Sequence, residues 1–301
     1  MTALHDDPAV PPTASTAMAH GSNQSMGDIL VATGRLSPED LQKILESQRR
    51  DKRPFGEAAI ALKALTKDDI DFALSKQFDY AYLSPQDSSL SPQLVAAYKP
   101  FSRVGENLRA VRSQLMLRWF NGDSLNKVLA VVSAGSRDGR SFVAANLAIV
   151  FAQQGQRTLL IDGDLRAKPD AGQQTLFKLG RSAGLSGILA DRAGLEVAQL
   201  VLGLPGLAVL PAGAVPPNPQ ELLGRPAFGQ LLMAAVNQFD VILIDTPAGS
   251  SYSDAEIIAA RAGAAVVVTR ANQSLMPQAA QLCKRLQEVG VAMVGSVLND
   301  V

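Results

Sequence analysis

Apolar positions follow two rhythms along this chain. Between residues 25 and 82 they fall in short blocks at helical spacing, with capping residues between the blocks. From residue 104 onward, compact apolar runs alternate with longer segments of helical period. The runs near 127–133, 157–162, 207–210, 240–245, 264–269 and 292–298 have the length and composition of strands buried on both faces. The segments at 140–154, 219–237, 254–262 and 276–289 predict helices, and another helix leads in over 104–120. Such alternation predicts an α/β fold, a doubly wound parallel sheet with ligands at the carboxyl ends of its strands.

The earlier part of the chain predicts something different. Residues 1–24, rich in Ala, Pro, Ser, Thr and Asp, read as a disordered tail. An internal repeat follows, with Met26-Gly27-Asp28-Ile29-Leu30 opening one unit and Phe55-Gly56-Glu57-Ala58-Ala59 the next, 29 residues later from Gly27 to Gly56. In each unit a short helix precedes a cap and a second helix: Ser37-Pro38-Glu39-Asp40 in the first, Thr66-Lys67-Asp68-Asp69 in the second. Leu41, Ile44 and Leu45 form the expected buried stripe, matched approximately by Ile70, Phe72 and Leu74, and Gln48 and Gln77 close the units. A small all-helical domain over 25–82 is expected. Residues 83–103, with three prolines and several serines, read as a linker. The α/β domain then takes 104–301.

Composition narrows the function. With 47% hydrophobic residues in 301, a sizeable core is available, and a formal net charge of zero gives no electrostatic case for nucleic-acid binding. A single cysteine, Cys283, excludes an internal disulfide framework. Both histidines, His5 and His20, lie in the tail, which argues against imidazole catalysis or a His-based metal site. No apolar run approaches the ~18 residues that span a bilayer. Nor does the N-terminus carry a secretory h-region. A cytoplasmic protein is expected, peripheral at the inner membrane only through a partner.

Three segments carry the candidate chemistry. Val128-Leu129-Ala130-Val131-Val132 empties into Ala134-Gly135-Ser136-Arg137-Asp138-Gly139-Arg140-Ser141, and a helix begins at once with Phe142 in its first turn. That order sets backbone N–H groups and a helix N-terminus around an anion, which suits a polyphosphate. Leu159-Leu160-Ile161-Asp162-Gly163-Asp164-Leu165-Arg166 and Val241-Ile242-Leu243-Ile244-Asp245-Thr246-Pro247 are buried-strand patterns ending in carboxylates, where Mg2+ would sit beside phosphates. Each segment alone has an ordinary reading, a tight β–α turn or a capping carboxylate. Their conjunction points to a nucleotide site. The loop departs twice from the usual P-loop: Ala134 stands where the first Gly is expected, and Arg140 where the Lys is expected.

These residues bear a family likeness. Residues 104–301 resemble the cytoplasmic bacterial tyrosine kinases of exopolysaccharide chain-length control, relatives of the deviant-Walker partitioning ATPases. Residues 134–141 look like their Walker A loop, Asp162-Gly163-Asp164-Leu165-Arg166 like their second acidic motif, and Ile244-Asp245-Thr246-Pro247 like their Walker B. Leu210-Pro211-Ala212-Gly213 and Pro216-Pro217-Asn218-Pro219-Gln220-Glu221-Leu222-Leu223 are similar to a stretch of these kinases and not of the partitioning ATPases. Glu106, Arg109 and Arg112 match their oligomerisation motif, at i, i+3 and i+6 of the leading helix.

The resemblance implies an ATP-dependent protein tyrosine kinase with ATP and Mg2+ as cofactors and a membrane polysaccharide co-polymerase as partner. The backbone of Gly135, Ser136, Arg137, Asp138, Gly139, Arg140 and Ser141 would cradle the phosphates, with Phe142 at the helix start, and Ser141 would ligate Mg2+. Arg140 would meet the β/γ oxygens. Asp162 and Asp164 would hold Mg2+-bound waters, one of them taking the acceptor proton, and Asp245 would complete the shell. Asn299, at the end of the last strand, would read the adenine. Arg is a planar fork on a longer reach than Lys, so slow turnover is expected, with Arg140→Lys giving a faster enzyme. Family members commonly end in a tyrosine-rich tail, whereas this chain stops at Leu298-Asn299-Asp300-Val301. Its tyrosines are Tyr80, Tyr82, Tyr98 and Tyr252, and the acceptor is expected on another protein, with Tyr80 and Tyr82 as substitutes.

The N-terminal repeat resembles the helical domain that precedes type II secretion and pilus assembly ATPases, some of which bind cyclic di-GMP through two tandem units. Ser25 and Pro54 stand where that resemblance expects Arg, and Lys63 where it expects Gly. This favours a protein-docking module over a dinucleotide site. Two alternatives to the kinase remain: a nucleotide-gated scaffold, kept by Arg140 and the missing tail, and a partitioning-type ATPase, opposed by the Pro-Pro-Asn-Pro segment.

Overall fold

A computed structural model of the protein describes residues 25–77, 81, 83–84, 87–122, 126–168 and 171–300. The expected tail at 1–24, together with Tyr80 and Tyr82, lies outside the described residues. The chain divides into two compact units, 1–78 and 79–301.

The first unit contains helices α1 (Met26–Ala32), α2 (Pro38–Asp51), α3 (Phe55–Ala61) and α4 (Lys67–Gln77). Three starts are capped as their residues dictate. Ser25 and Asp28 form a reciprocal capping box, the Ser37 side chain accepts from the Asp40 N–H, and Thr66 Oγ1 accepts from the Asp69 N–H. The repeat is visible in the core itself. Its fully buried apolar residues are Ile29, Leu30, Leu36 and Ile44 from the first repeat, with Ala58, Ala59, Leu65 and Ala73 at the same positions 29 residues on. Gly27 lies under Leu41, where a Cβ would come within 2.6 Å of a leucine methyl, and Gly56 lies under Ile70 at the matching position, where a Cβ would make only an ordinary contact at 3.4 Å. Each first helix ends in a left-handed residue, Gly34 (φ +70°) and Lys63 (φ +55°). Lys63 therefore takes up a backbone that costs a non-glycine residue about 1 kcal/mol. The expected stripe shifts slightly: Ile44 and Ala73 are buried, while Leu45 is exposed.

In the second unit, α5 (Val95–Tyr98) and α6 (Arg103–Arg118) precede β1 (Val128–Val132), α7 (Arg140–Ala152) and β2 (Thr158–Asp162). Then come α8 (Gly172–Leu176), α9 (Gly184–Leu189), β3 (Gln199–Leu200), β4 (Leu207–Leu210), α10 (Pro219–Gly224) and α11 (Pro226–Gln238). The chain ends with β5 (Val241–Asp245), α12 (Asp254–Ala262), β6 (Ala264–Arg270), α13 (Met276–Glu288) and β7 (Ala292–Asn299). The strand order is β3-β4-β2-β5-β1-β6-β7, parallel throughout except for β3. The chain belongs to the doubly wound parallel class expected from its pattern.

Alternation within each strand divides the core in two. Leu129, Val131, Leu160, Leu243 and Val266 face α6 and α7, while Val128, Ala130, Leu159, Ile161, Ile244 and Val267 face the layer of α9 to α13. Both sheet faces are covered, which is why these strands read as unbroken apolar runs. Helix α7 is buried along almost its whole length, from Arg140 and Val143 through Ala152.

Two expectations are corrected. The segment read as a linker, 83–103, packs into the second unit: Leu83, Leu90, Leu94, Ala96, Ala97 and Tyr98 are buried. Polar side chains of α7 satisfy its backbone. Asn146 accepts from the Ala96 N–H and donates to the Gln93 carbonyl, and Gln153 donates to the carbonyls of Ala81 and Ala96. The helix expected over 219–237 breaks in two at Arg225, because Pro226 forces the preceding residue to extended ψ (153°) before α11 starts. Short elements without a period, α5, α8, α9 and β3, were not foreseen.

Candidate functional site

The loop leaving β1 is braced from within. The Asp138 carboxylate, nearly fully buried, accepts from the Gly135 N–H at 2.8 Å and from Ser274 Oγ at 2.7 Å. Ser133 Oγ donates to the Gly135 carbonyl at 2.8 Å. Gly139, at φ +94°, closes the loop and leads into α7 with no side chain capping the helix. A Cβ there would lie 2.1 Å from Asn299 Nδ2, which donates to the Asp138 carbonyl at 3.2 Å. Glycine is required twice over, for backbone sign and for space. The amides at the start of α7, which no side chain caps, have the arrangement of a P-loop.

Arg140 does not project into solvent. Its Nε donates to the Thr246 carbonyl and its Nη1 to Ser133 Oγ and the Gly135 carbonyl, so the guanidinium ties the loop to the end of β5. Thr246 Oγ1 in turn donates to the Val131 carbonyl at 2.9 Å. Ser136 and Arg137 are exposed at the loop tip, and Arg137 is left-handed (φ +66°). Phe142 packs partly buried against the α6/α7 core.

The carboxylates of β2 and β5 meet at the centre. Asp162 and Asp245 are register partners on adjacent strands, and both are buried. Burial and then the Asp245 charge push the Asp162 carboxyl up to about 8. Burial also raises Asp245, opposed by the charge of Arg140 and by the Ser141 hydroxyl and Gln173 amide that face it. Gln173 links the pair: its N–H donates to Asp162 Oδ2 and its Nε2 to Asp245 Oδ2, each at 2.8 Å. Asp245 Oδ1 and Gln173 Oε1 are buried and accept no hydrogen bond. Two buried acids that repel each other, with an unsatisfied oxygen between loop and strand ends, fit a divalent cation.

Asp164 is placed differently. Its N–H donates to Asp162 Oδ1 and its own Oδ1 accepts from the Arg166 N–H, while its side chain lines a shallow cleft with Lys168, Gly213 and Val215. Among the described residues, no three His, Cys, Asp or Glu side chains gather as a metal cluster, although the Asp164 charge acts on both Asp162 and Asp245 and Asp162 lines the same cleft.

Asn299 and Phe142 border a cavity of about 330 Å³ beside the loop, shared with Val104, Asn107 and Asp300. A larger cavity, about 720 Å³, lies at the opposite ends of the strands against Phe120, Lys127 and Asp240, away from the loop. On α6, Arg109 pairs with Glu106 at 2.5 Å and donates to the Pro100 carbonyl, while Arg112 donates to the Val150 carbonyl of α7. The arginines of the expected subunit contact thus make bonds within their own unit. Ser133, Gln173, Thr246 and Ser274 were missed by sequence reasoning, because each acts through a tertiary hydrogen bond. Only Thr246, beside Asp245 in its motif, carried a local signal.

A deviant P-loop at the carboxyl end of a central parallel strand, with two acidic strand ends beside it, defines a nucleotide-dependent phosphotransferase or ATPase of the P-loop class. The tyrosine-protein kinase YwqD of Bacillus subtilis is 33% identical over 212 residues, 70% of this chain and 87% of that protein. The solved kinase domain of the Escherichia coli tyrosine kinase ETK superposes with a TM-score of 0.65 at 33% identity, covering 73% of this chain and 84% of that one. The septum site-determining protein MinD of Pyrococcus horikoshii, solved with Mg-ADP, shares the fold at a TM-score of 0.50 and 25% identity over 57% of this chain. No family model matches the chain. The chain belongs to the bacterial tyrosine-protein kinase family, and the enzyme class is that of a tyrosine kinase.

Among the described residues, no helix is long and apolar enough to cross a membrane.

Proposed function

We propose that this chain transfers the γ-phosphoryl group of Mg-ATP to protein tyrosine, and that it regulates exopolysaccharide polymerisation or export with a membrane co-polymerase. The observation that carries the reading is the buried Asp162–Asp245 pair beside the phosphate loop, with Asp245 Oδ1 unsatisfied. Phosphoryl transfer asks a protein for position and charge neutralisation more than for covalent chemistry. Backbone amides of 135–141 bind the phosphates, and the Phe142–Asn299 cavity takes the base. Ser141, Asp162, Asp164 and Asp245 would hold Mg2+, and Asp162 and Asp164 line the cleft beside it. An ion held there would supply neutralisation of the developing phosphate charge. One of the two carboxylates lining the cleft, Asp162 or Asp164, accepts the phenolic proton.

Incubation with Mg-ATP and detection of phosphotyrosine, with Asp162→Ala as control, tests this. Phosphotyrosine in the wild type alone supports it, and equal signal in both contradicts it. A second reading, a nucleotide-gated scaffold, is favoured by one observation: the Arg140 guanidinium is committed to three acceptors of the protein itself. ATP binding without transfer would select it. Self-assembly through Glu106, Arg109 and Arg112 would require Arg109 and Arg112 to exchange or share their present partners, and sedimentation of Arg112→Ala tests that. For the helical unit we favour protein docking over cyclic di-GMP binding, since Ser25 and Pro54 stand at helix starts. Calorimetry with cyclic di-GMP decides it.

A further inference from the structure

The phosphoacceptor expected on another protein has a candidate within this chain. Tyr98 is buried, with its hydroxyl bonded to the backbone of Leu90. Tyr252 is 49% exposed, on the segment that leaves the carboxyl end of β5 for α12. That segment leans on the phosphate loop: the Gly249 N–H donates to the Ser133 carbonyl at 2.9 Å and the Ser250 N–H to the Ala134 carbonyl at 3.0 Å.

One face of the Tyr252 ring is covered by the Arg166 guanidinium, whose central carbon lies 3.9 Å from the ring centroid. Arg166 sits on the loop after β2, four residues beyond Asp162. Its orientation is fixed. Nε and Nη2 donate at 2.7 and 3.2 Å to the two oxygens of Asp254, whose side chain is wholly buried. Such a bidentate pair leaves the outer Nη1 edge of the fork, which makes no hydrogen bond among the described residues. A half-exposed phenol is thus stacked on a partly exposed, pre-oriented guanidinium with donors to spare, at the edge of a nucleotide site.

We propose that Tyr252 is a phosphoacceptor of this kinase and that Arg166 holds the resulting phosphate. The inference rests on the kinase reading above. In the transfer, the bond between the γ-phosphorus of ATP and its β,γ-bridging oxygen breaks, and a bond from that phosphorus to Tyr252 Oη forms. ADP leaves with the electron pair, and the phenolic proton passes to a carboxylate or to water. The dianion then adds charge-assisted hydrogen bonds to a guanidinium already neutralising Asp254. Because the same segment is bonded to the phosphate loop, phosphorylation at Tyr252 is coupled to the nucleotide site.

The test incubates the full chain with Mg-ATP, alone and with a tyrosine-containing copolymer as external acceptor, and maps phosphate by peptide mass spectrometry. The expected result is phosphate on Tyr252 in the wild type and none in Asp162→Ala. Tyr252→Phe should lose the largest single share of incorporated phosphate while still phosphorylating the copolymer. Phosphate confined to Tyr80, Tyr82 or Tyr98 overturns the inference and leaves the kinase reading intact, as does transfer to the copolymer with none to the chain. No transfer to either acceptor overturns both.

Discussion

Asp162 is the register partner of Asp245 across the β2–β5 ladder, and neither carboxylate reaches solvent. Two acids in that relation are poorly suited to a metal-free resting state: burial raises the proton affinity of both, and the Asp245 charge raises that of Asp162 further, until a cation replaces the proton.

This gives a pH dependence with a definite sign. Burial and the Asp245 charge push the folded Asp162 carboxyl up to about 8, against an ordinary aspartate value of 3.8, so between those pH values the native state keeps a proton that the unfolded chain has lost. Stability of the metal-free protein should therefore fall as pH rises from about 4 to about 8 and level off above that range. Asp162→Asn should flatten the slope. Denaturation midpoints in chelator at several pH values check it, and equal slopes for wild type and variant would count against the coupled pair.

Arg140→Lys removes a fork that now reaches Ser133, Gly135 and Thr246 together. An ammonium cannot span all three acceptors, so the nucleotide-free protein should lose ~1–3 kcal/mol of stability. Transfer should become faster, because the point charge is freer to follow the phosphates. A denaturant titration and a labelled-phosphate assay measure the two effects, and an unchanged or lower rate would contradict the second.

Gly139→Ala places a methyl at φ +94° and 2.1 Å from Asn299 Nδ2. The expected cost is ~1–3 kcal/mol. Since Asn299 and the loop must separate to admit the methyl, ATP affinity should fall by at least ~10-fold. Fluorescence titration with a labelled nucleotide tests it, with Gly122→Ala, which has open space around its Cβ, as a comparison for strain alone.

Gln173→Ala removes a side chain that donates to Asp245 Oδ2 while its backbone holds Asp162. Loss of such an outer partner should raise the Mg2+ concentration needed for half-maximal transfer ~10–100-fold. Rate against Mg2+ at saturating ATP is the readout. An unchanged Mg2+ requirement would show that Gln173 serves packing alone.

Legibility of these features in the sequence follows how local their causes are. Val128–Val132, Thr158–Asp162 and Val241–Asp245 were readable because burial on both faces leaves a compact apolar run, which stops at the glycine-bearing loop in the first and at an acid in the other two. The helical repeat was readable from caps and glycines, and its core proved to repeat residue for residue. The segment over 83–103 was misread because proline and serine content suggests a linker. Its leucines pack all the same, once Asn146 and Gln153 of α7 supply the hydrogen bonds its irregular backbone lacks. Pro226 could have marked the break between α10 and α11, since the residue before a proline avoids the helical region. Gln173 and Ser274 could not have been found. Neither has a motif of its own, and each gains its role from a residue more than 70 positions away.

Calorimetric titration of the full chain with ATP, in Mg2+ and in chelator, tests the central claim most directly. Mg2+ should tighten binding in the wild type, and the tightening should vanish in Asp245→Asn. Equal affinity with and without the metal, or no binding in either buffer, would contradict a site built from these strand ends and this loop.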